Sequence, residues 1–403
     1  MRNLGSSLSI VFLLLSCATP SLRAQESIRA TTPPPANANI DVENWTKPER
    51  GWLYVLDPTP VAGSGGRILL IDPESGKTAG SIKTGDFPDF ALAPDGSRLY
   101  VTSVTDGDAS ELAVIDTAQG TILKSGVVNN RAVDKGMPAF STMALSRDGA
   151  VLRILIETPN PDQPESFMFA SFDTRAEEFL PGVVHLGNCG PVRFIDMPAA
   201  DHFDVLCPRT NRVRLIRVDP DSRTLQNFDV VLPWERREGA ATAIRVPGSD
   251  KIAIVAGNGG VVEMNAVTEE FQMTAAHPDA PYRVPPATWP TSPDGSRIFL
   301  GYNREHDQKY DKRFYLDYGR PPNIRPSNSA VYELRVLDTQ TWRKLGTIKT
   351  KMPCWSAIMG NDGKLLYALS PQKHSIAIID TARMQVLRTL KIQGTPALAL
   401  VAP

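Results

Sequence analysis

Residue types that carry catalysis or bind metals are scarce in this sequence. Its 403 residues include four cysteines and five histidines, and no two histidines stand at a spacing typical of a metal site. No Cys-x-x-Cys pair, nucleophile elbow, phosphate loop or dinucleotide fingerprint occurs. His306 with Asp307 and Asp311 is a candidate cation-binding group, and a solvated charged loop is the alternative. We therefore expect no catalytic residues, no metal and no cofactor on this chain.

An excess of one charge is also missing. Lys and Arg number 43 against 44 for Asp and Glu, which gives a net charge of −1. Proteins that bind nucleic acid need a basic face, so we do not expect nucleic acid as a partner. The longest apolar run, residues 8–18, is too short to cross a bilayer as a helix. The sequence therefore predicts no transmembrane span.

The first 24 residues have the features of an export signal. Arg2 precedes the apolar run, and Ala24 is a small residue that suits signal peptidase. Residues 14–17 alternatively resemble a lipoprotein box, with cleavage before Cys17 and a lipid attached to it. A buried N-terminal strand or helix is a third interpretation. The chain is thus predicted to be periplasmic or secreted, or else lipid-anchored to the cell envelope.

Residues 25–50 are rich in proline and poor in aromatic residues, as in Pro33-Pro34-Pro35. Such a composition cannot bury enough apolar surface to offset the entropy of ordering. We expect a disordered linker here, followed by a single domain over residues 51–403.

Internal repeats predict the fold. Apolar runs that end in Asp or Asn recur along the chain, and the final residues of these runs are Asp72, Asp116, Asp173, Asp219, Asn265, Asp338 and Asp380. Tight turns of the Pro-Asp-Gly type occur at residues 93–96, 146–149, 292–295 and 360–363, and each precedes a strand. Repeats of this length with four short strands are typical of propeller blades. The sequence therefore predicts an all-β, seven-bladed β-propeller.

The two ends of the chain supply one blade between them. Residues 396–401 form a lone apolar strand at the C-terminus, and residues 52–56 begin the strands that this blade would otherwise lack. Pairing of the two ends would close the ring and remove an open sheet edge.

Irregular repeats indicate a binding face. A charged and aromatic insertion, residues 304–328, falls between the second and third strands of its blade, on the side of the inter-blade connections. Loops on a rigid scaffold often bind partners, and Trp, Tyr and Arg are enriched in contact surfaces. The candidate partner-binding residues are Trp234, Arg236, Arg237, His277, Tyr282, Arg283, Tyr310, Tyr315 and Trp355. The alternative is that the insertion packs over its own blade and that Trp234 and Trp355 are buried between blades.

Two of the cysteines are placed to pair. Cys189 and Cys207 each lie nine residues from Pro198, which reads as a hairpin turn, so we expect the thiols to face each other and form a disulfide after export. Two buried free thiols are the alternative. Cys354 has no evident partner and is interpreted as a buried thiol.

The repeats resemble the YVTN type, and the chain is similar to the heavy subunit of methylamine and aromatic-amine dehydrogenases. The similar segments are residues 52–58, the Cys189–Cys207 hairpin, residues 282–286 and residues 365–380. The resemblance implies a non-catalytic heavy subunit without a cofactor. Its partner would be a small subunit that carries tryptophan tryptophylquinone.

Two features depart from the family pattern. Residues 105–110 form a shorter and more acidic loop, and the insertion from Arg304 is larger. The other interpretation is therefore a stand-alone YVTN-type binding or scaffold protein of the cell envelope. A hydrolase or lactonase would need metal ligands around the central channel, and the sequence shows no such set.

Overall fold

The computed structural model describes the greater part of residues 40–403 and two residues before them. The described ranges are 29–30, 40–58, 65–104, 110–129, 139–160, 163–188, 193–195, 203–208, 212–219, 224–231, 240–256, 260–268, 270–275, 289–302 and 333–403. The structural statements below concern these ranges.

Short β-strands make up nearly all the regular structure. In chain order the strands are β1 (Arg29–Ala30), β2 (Asp41–Glu43), β3 (Leu53–Asp57), β4 (Arg67–Ile71), β5 (Thr78–Lys83), β6 (Asp86–Leu92), β7 (Arg98–Val104), β8 (Ser110–Asp116), β9 (Thr121–Asn129), β10 (Ala139–Leu145), β11 (Val151–Asn160), β12 (Gln163–Asp173), β13 (Glu178–Phe179), β14 (Val184–Asn188), β15 (Arg193–Ile195), β16 (Phe203–Pro208), β17 (Arg212–Asp219), β18 (Thr224–Val231), β19 (Ala240–Arg245), β20 (Lys251–Ala256), β21 (Val261–Asn265), β22 (Phe271–Ala275), β23 (Arg297–Tyr302), β24 (Glu333–Asp338), β25 (Lys344–Lys349), β26 (Ser356–Met359), β27 (Leu365–Ser370), β28 (Ser375–Asp380), β29 (Gln385–Lys391) and β30 (Leu398–Val401). A 3₁₀ turn spans Pro371–Lys373. Among the described residues, no helix is long and apolar enough to cross a membrane.

These strands form seven antiparallel sheets, which are the blades of a β-propeller and confirm the predicted fold. Blade 1 is β2-β5-β4-β3-β30, blade 2 is β1-β9-β8-β7-β6, and blade 3 is β10-β11-β12 with β13 and β14 on β12. Blades 4, 5 and 7 are β15–β18, β19–β22 and β26–β29. Blade 6 is β23–β25, and Thr291 bridges to Ile298 at the innermost position.

The predicted ring closure is confirmed. The C-terminal strand β30 pairs with β3, with Leu53 opposite Val401 and Leu56 opposite Leu398. The backbone N–H of Ala402 also donates to the carbonyl of Trp52. The last strand of the chain is therefore the innermost strand of blade 1.

Part of the segment that we assigned to the linker belongs to the propeller instead. Strand β2 adds to the outer edge of blade 1, and Trp45 packs on Tyr54 with ring centroids 6.2 Å apart. The Trp45 indole N–H donates to the carbonyl of Thr117 at 2.8 Å, which joins blade 1 to blade 2. The buried Ile40 and the partly buried Trp45 supply apolar surface that the proline-rich composition had hidden.

The hydrophobic core lies between blades rather than at a single centre. Six clusters of buried side chains fill the interfaces around the ring; the one around Trp289 and Trp342 spans blades 5 to 7, and the one around Tyr54 spans blades 1 and 2. Each blade is therefore stabilised by both neighbours, which is why closure matters to the whole ring.

Candidate functional site

The two sides of the propeller carry different kinds of connection between strands. We name as the turn face the side that carries the turns between the first and second strands and between the third and fourth strands of each blade. We name as the loop face the opposite side, which carries the connections between blades and the loops between second and third strands. The sequence predicts that the candidate site residues lie on the loop face.

On the turn face, the repeat residues make local hydrogen bonds. The Asp72 side chain accepts from the backbone N–H of Glu74 at 2.8 Å, as predicted for a turn-forming Asp. In the Pro-Asp-Gly turns, Asp294 accepts from the Ser292 hydroxyl and from the backbone N–H and hydroxyl of Ser296, and these bonds lower its pKa to about 2. Gly295 follows at φ +70°, a conformation that glycine adopts without steric cost.

A threonine after the turn Asp ties the two turns of a blade together, a feature that the sequence analysis missed. The hydroxyls of Thr117, Thr174, Thr339 and Thr381 donate to the carbonyls of Gly96, Gly149, Gly295 and Gly363. The recurring Asp-Thr pair was the available signal. The polar side chains of this face are therefore used largely for holding the blades.

Most of the predicted site residues lie outside the described residues, namely Trp234, Arg236, Arg237, His277, Tyr282, Arg283, Tyr310 and Tyr315. The residues that flank them are described: the strand ends Val231 and Ala240, the strand end Ala275 with Trp289, and the strand ends Tyr302 and Glu333. Because the strands of each blade alternate in direction, all these ends lie at the loop face, in blades 4 to 6. The proposed surface therefore attaches to one side of the ring, and its internal arrangement stays a prediction.

Trp355 is the member of the predicted site that the structure describes. It is half-buried in the connection between blades 6 and 7, and its backbone N–H donates to the carbonyl of Leu369 at 2.9 Å. The neighbouring Cys354 is a free cysteine whose Sγ lies 3.5 Å from the carbonyl oxygen of Met352. Burial raises the pKa of this thiol to about 12, so it is protonated at neutral pH. Cys354 is therefore a free thiol, as predicted, and is partly rather than fully buried.

Next to this connection, an ion pair fixes the ring closure on the loop face. The buried Asp57 carboxylate accepts from Arg67 Nε at 2.8 Å and from the backbone N–H of Thr395 at 3.1 Å. Arg67 also donates to the carbonyl of Gln393, and His374 Nδ1 lies 2.7 Å from the carbonyl oxygen of Gly394. These polar groups bond to the backbone that links blade 7 to β30, which is a structural role.

The cysteine hairpin has a different centre from the one that we expected. Strands β15 and β16 pair Arg193 with Leu206 and Ile195 with Asp204, so the hairpin is centred between Ala199 and Ala200 rather than on Pro198. Equal spacing about Pro198 is thus not a valid argument for facing thiols. Cys207 is fully buried on β16, whereas Cys189 lies outside the described residues. The disulfide stays a prediction.

Charged side chains are buried at the interfaces from blade 3 to blade 6, near a position where blades 1, 2 and 7 have tyrosine. In each blade this position is on the second strand. Its residue pairs with the third-strand residue that stands two positions before the turn Asp or Asn. Around the ring, from blade 1 to blade 7, the second-strand residues are Tyr54, Tyr100, Arg153, Asp204, Ala253, Phe299 and Tyr367.

Asp204 is the centre of the largest of these groups. Its carboxylate is fully buried and accepts from Arg217 Nε and from Arg245 Nη2, each at 3.0 Å. Arg217 is on the next strand of blade 4, and Arg245 is on the innermost strand of blade 5. The cluster joins these two blades. Its signal in the sequence was the replacement of an aromatic repeat residue by Asp.

The two neighbouring interfaces also hold charge. The Arg153 guanidinium lies 5.6 Å from the centroid of the Phe203 ring, between blades 3 and 4. Glu263 accepts from the Trp342 indole N–H at 3.0 Å, between blades 5 and 6, and lies 3.3 Å from Lys251 Nζ. All these charges have protein partners, and the described residues contain no group of three or more potential metal ligands.

Comparisons with known proteins show the fold and nothing finer. No protein-family model matches the chain, and no curated protein matches it. A protein of unknown function from Desulfotomaculum acetoxidans DSM 771 is similar at TM-score 0.59 and 12% identity, covering 87% of this chain and 99% of that one. A putative 6-phosphogluconolactonase from Bacteroides uniformis ATCC 8492 is similar at TM-score 0.57 and 11% identity, covering 87% of this chain and 99% of that one. Kuenenia stuttgartiensis hydrazine synthase is similar at TM-score 0.51 and 15% identity, covering 84% of this chain and 97% of that one.

Proposed function

We propose that this chain is an exported, non-catalytic propeller that binds a partner protein on the loop face, in the sector of blades 4 to 7. The observation that carries the proposal is that residues 232–239, 276–288 and 303–332 each follow a strand that ends at the loop face. A ring stabilised at every interface gives these segments a rigid support, and loops on rigid supports are where propellers recognise other molecules.

The residue types in these segments suit a macromolecular partner. Tyrosine and tryptophan offer large contact areas at low entropic cost, and arginine offers directed hydrogen bonds. One inter-blade connection contains Trp234, Arg236 and Arg237. The next contains Tyr282 and Arg283. The turn face differs, because its polar side chains are largely engaged in the turns of the blades.

Site-specific photo-crosslinking in cells tests the proposal. A photoreactive residue is placed at Tyr310, Tyr315 or Trp355 and, as a control, at the exposed turn-face positions Lys77 and Arg175. We expect the same adduct from the loop-face positions and none from the control positions. An adduct that forms equally from both faces, or from neither, contradicts a loop-face partner.

A matched pair of triple variants tests the arginines. Arg236→Ala, Arg237→Ala and Arg283→Ala should weaken capture of the crosslinked partner and leave folding nearly intact, because exposed charges contribute little to stability. The control variant carries alanine at Lys77, Arg175 and Arg343, which are exposed on the turn face. Equal capture by the two variants would place the binding surface elsewhere.

The family resemblance makes the proposal more specific. It would make the partner a small quinoprotein subunit that carries tryptophan tryptophylquinone, with this chain in the role of the heavy subunit. Redox-cycling stain of the crosslinked partner separates the two interpretations. A quinone-positive partner supports the heavy-subunit role, and a quinone-negative partner supports a stand-alone envelope binding protein.

Export is part of the same proposal and has its own test. N-terminal sequencing of the protein from the envelope fraction should find Gln25 as the first residue. A blocked N-terminus with acyl chains on Cys17 would instead show that the protein is lipid-anchored. A chain that keeps Met1 would overturn export.

A further inference from the structure

Positive charge is concentrated in the last part of the chain. Residues 333–403 contain ten Lys and Arg against four Asp and Glu, a net charge of +6, whereas the whole chain has a net charge of −1. Arg335 is buried, and the other nine cations are exposed. These residues form the greater part of blade 6, all of blade 7 and the last strand of blade 1, so one sector of the ring is basic.

Part of this charge lies on the outer strands β25 and β29 of blades 6 and 7. The two strands are close together, because the Met384 side chain packs against Gly346 of β25. Each strand has a β-bulge just after its turn, and the extra residues, Leu345 and Leu387, are 49% and 53% exposed. We name as the basic rim the residues Lys344, Leu345, Lys349, Leu387, Arg388 and Lys391.

The cations of the basic rim have few partners in the protein. Lys344 and Lys349 make no ion pair with any described residue, and Lys391 donates only to the carbonyl of Lys373 within that part of the chain. Arg388 donates to the carbonyl of Pro73 in blade 1. Arg388 also interacts with the Asp72 carboxylate of blade 1, and Glu333 lies opposite Lys349 in the strand register. Lys344 and Lys391 make no ion pair with a described residue, so the rim presents two exposed leucines among side chains that are mainly cationic.

Other outer edges of the ring lack this combination. Blade 1 is covered by β2, and the bulge residue Ala79 accepts from the backbone N–H of Thr46. In blade 2 the bulge residue Leu123 is 45% exposed, but its neighbour Lys124 donates to the carbonyl of Glu177 in blade 3. An exposed bulge leucine is therefore common to several blades, whereas among the edges described only those of blades 6 and 7 combine it with two exposed cations each.

We propose that the basic rim docks the propeller, edge-on, to an anionic phospholipid bilayer. Lysines near a bilayer surface are attracted to acidic headgroups, and apolar side chains between them enter the headgroup region. Three of the four cations are lysines, whose flexible point charges suit a fluid surface, whereas a fixed protein epitope favours the planar fork of arginine. This surface is distinct from the loop face and does not depend on the function proposed for it.

Vesicle co-sedimentation tests the proposal with the exported protein, in a Cys17→Ser background that excludes an acyl chain at that residue. The probes are vesicles of phosphatidylcholine alone and of phosphatidylcholine with phosphatidylglycerol in equal amounts. We expect binding to the second alone, with loss at high salt. The partition coefficient onto the phosphatidylglycerol vesicles should be about 25-fold lower for the variant Lys344→Gln/Lys349→Gln, because each lysine contributes about fivefold.

Matched variants control for general effects of charge and apolarity. Lys47→Gln/Lys77→Gln removes two exposed lysines from blade 1, and Leu123→Ser removes an exposed bulge leucine from blade 2. Both should bind as the parent does, whereas Leu345→Ser/Leu387→Ser should bind several-fold less. Unchanged melting temperature and gel-filtration volume exclude misfolding and edge-to-edge association.

Two outcomes would overturn the proposal. One is binding that is independent of phosphatidylglycerol or equal in rim and control variants. The other is rim-dependent retention of soluble polyglutamate without vesicle binding, which would identify an acidic polypeptide as the occupant of the rim.

Discussion

The interface between blades 1 and 2 and the interface between blades 4 and 5 meet the same structural requirement with different chemistry. In the first, the buried Tyr54 packs under Trp45 and its hydroxyl is bonded to the Thr117 side chain. In the second, Asp204 occupies the equivalent position and holds Arg217 and Arg245. One interface is mainly apolar, with hydrogen bonds from Tyr54 and Trp45 to Thr117, and the other contains a buried group of three charges.

The difference determines how well each interface tolerates substitution of a single residue. A tyrosine between blades is stabilised by burial of its ring, which tolerates loss of the hydroxyl. A buried carboxylate between two guanidinium groups has already lost its hydration, and its stability depends on keeping every partner. The charged interface should therefore be the more sensitive to single substitutions, although not the more stable of the two.

The most severe way to break this comparison is to open the ring. Deletion of residues 395–403 removes β30 from blade 1, exposes the inner edge of β3 and takes away one of the two partners of Asp57. We expect loss of cooperative unfolding, at a cost above about 4 kcal/mol. Thermal unfolding followed by circular dichroism measures it. Deletion of Pro403 alone is the control, and equal melting of both proteins would contradict the closure.

Within the intact ring, Asp204→Ala should be the most damaging single substitution of the two interfaces. It leaves the Arg217 and Arg245 guanidinium groups buried without their shared carboxylate, and removal of one partner from a buried charge group costs about 3–5 kcal/mol. Urea denaturation of the variant and the wild type gives this difference. A cost near that of an ordinary surface substitution would mean that water already reaches the cluster.

Conversion of the charged interface into the apolar kind sharpens the comparison. The triple variant Asp204→Phe, Arg217→Val and Arg245→Leu carries apolar residues like those that blades 2 and 3 have at these positions, Tyr100, Val114 and Leu145. Phenylalanine replaces tyrosine because blade 5 has Ala266 where blade 3 has Thr174, the partner of the Tyr100 hydroxyl. We expect the free energy of unfolding of the triple variant to be within about 1 kcal/mol of the wild-type value or higher than it.

The predicted disulfide adds a covalent link in blade 4, beside the charged interface. A bridge between Cys189 and Cys207 closes a loop of about 19 residues and should contribute roughly 3 kcal/mol. We expect Cys189→Ala/Cys207→Ala to melt earlier than wild type, and dithiothreitol to lower the melting temperature of the wild type alone. If the reductant has no effect and peptide mapping finds both thiols alkylated, the cysteines are two free thiols.

The fold could be predicted from the sequence because the repeat carries its own turn chemistry. Residues such as Asp72 and Gly295 act within a few positions of themselves, so their pattern survives variation in the packed strands. The contribution of Trp45 was missed because it depends on a contact with Thr117 on another blade. Asp204 was missed for the same reason, since its partner Arg245 lies 41 positions away. The binding surface could be predicted only as a face, because loop composition does not fix loop geometry.

The smallest expected effect concerns the hydroxyl of Tyr54 at the apolar interface. Tyr54→Phe keeps the ring and its contact with Trp45, and Thr117 keeps its bond to the carbonyl of Gly96, so only one hydrogen bond is lost. The expected cost is about 1 kcal/mol. Tyr367→Phe is the matched control, because blade 1 has Pro73 in place of the threonine and Tyr367 has no hydrogen-bonding partner among the described residues. The control should melt within error of wild type, and Tyr54→Phe slightly below it. Equal costs for the two variants would show that the Tyr–Thr bond does not help to join blades 1 and 2, and that burial of the rings and the Trp45 indole hydrogen bond hold this interface.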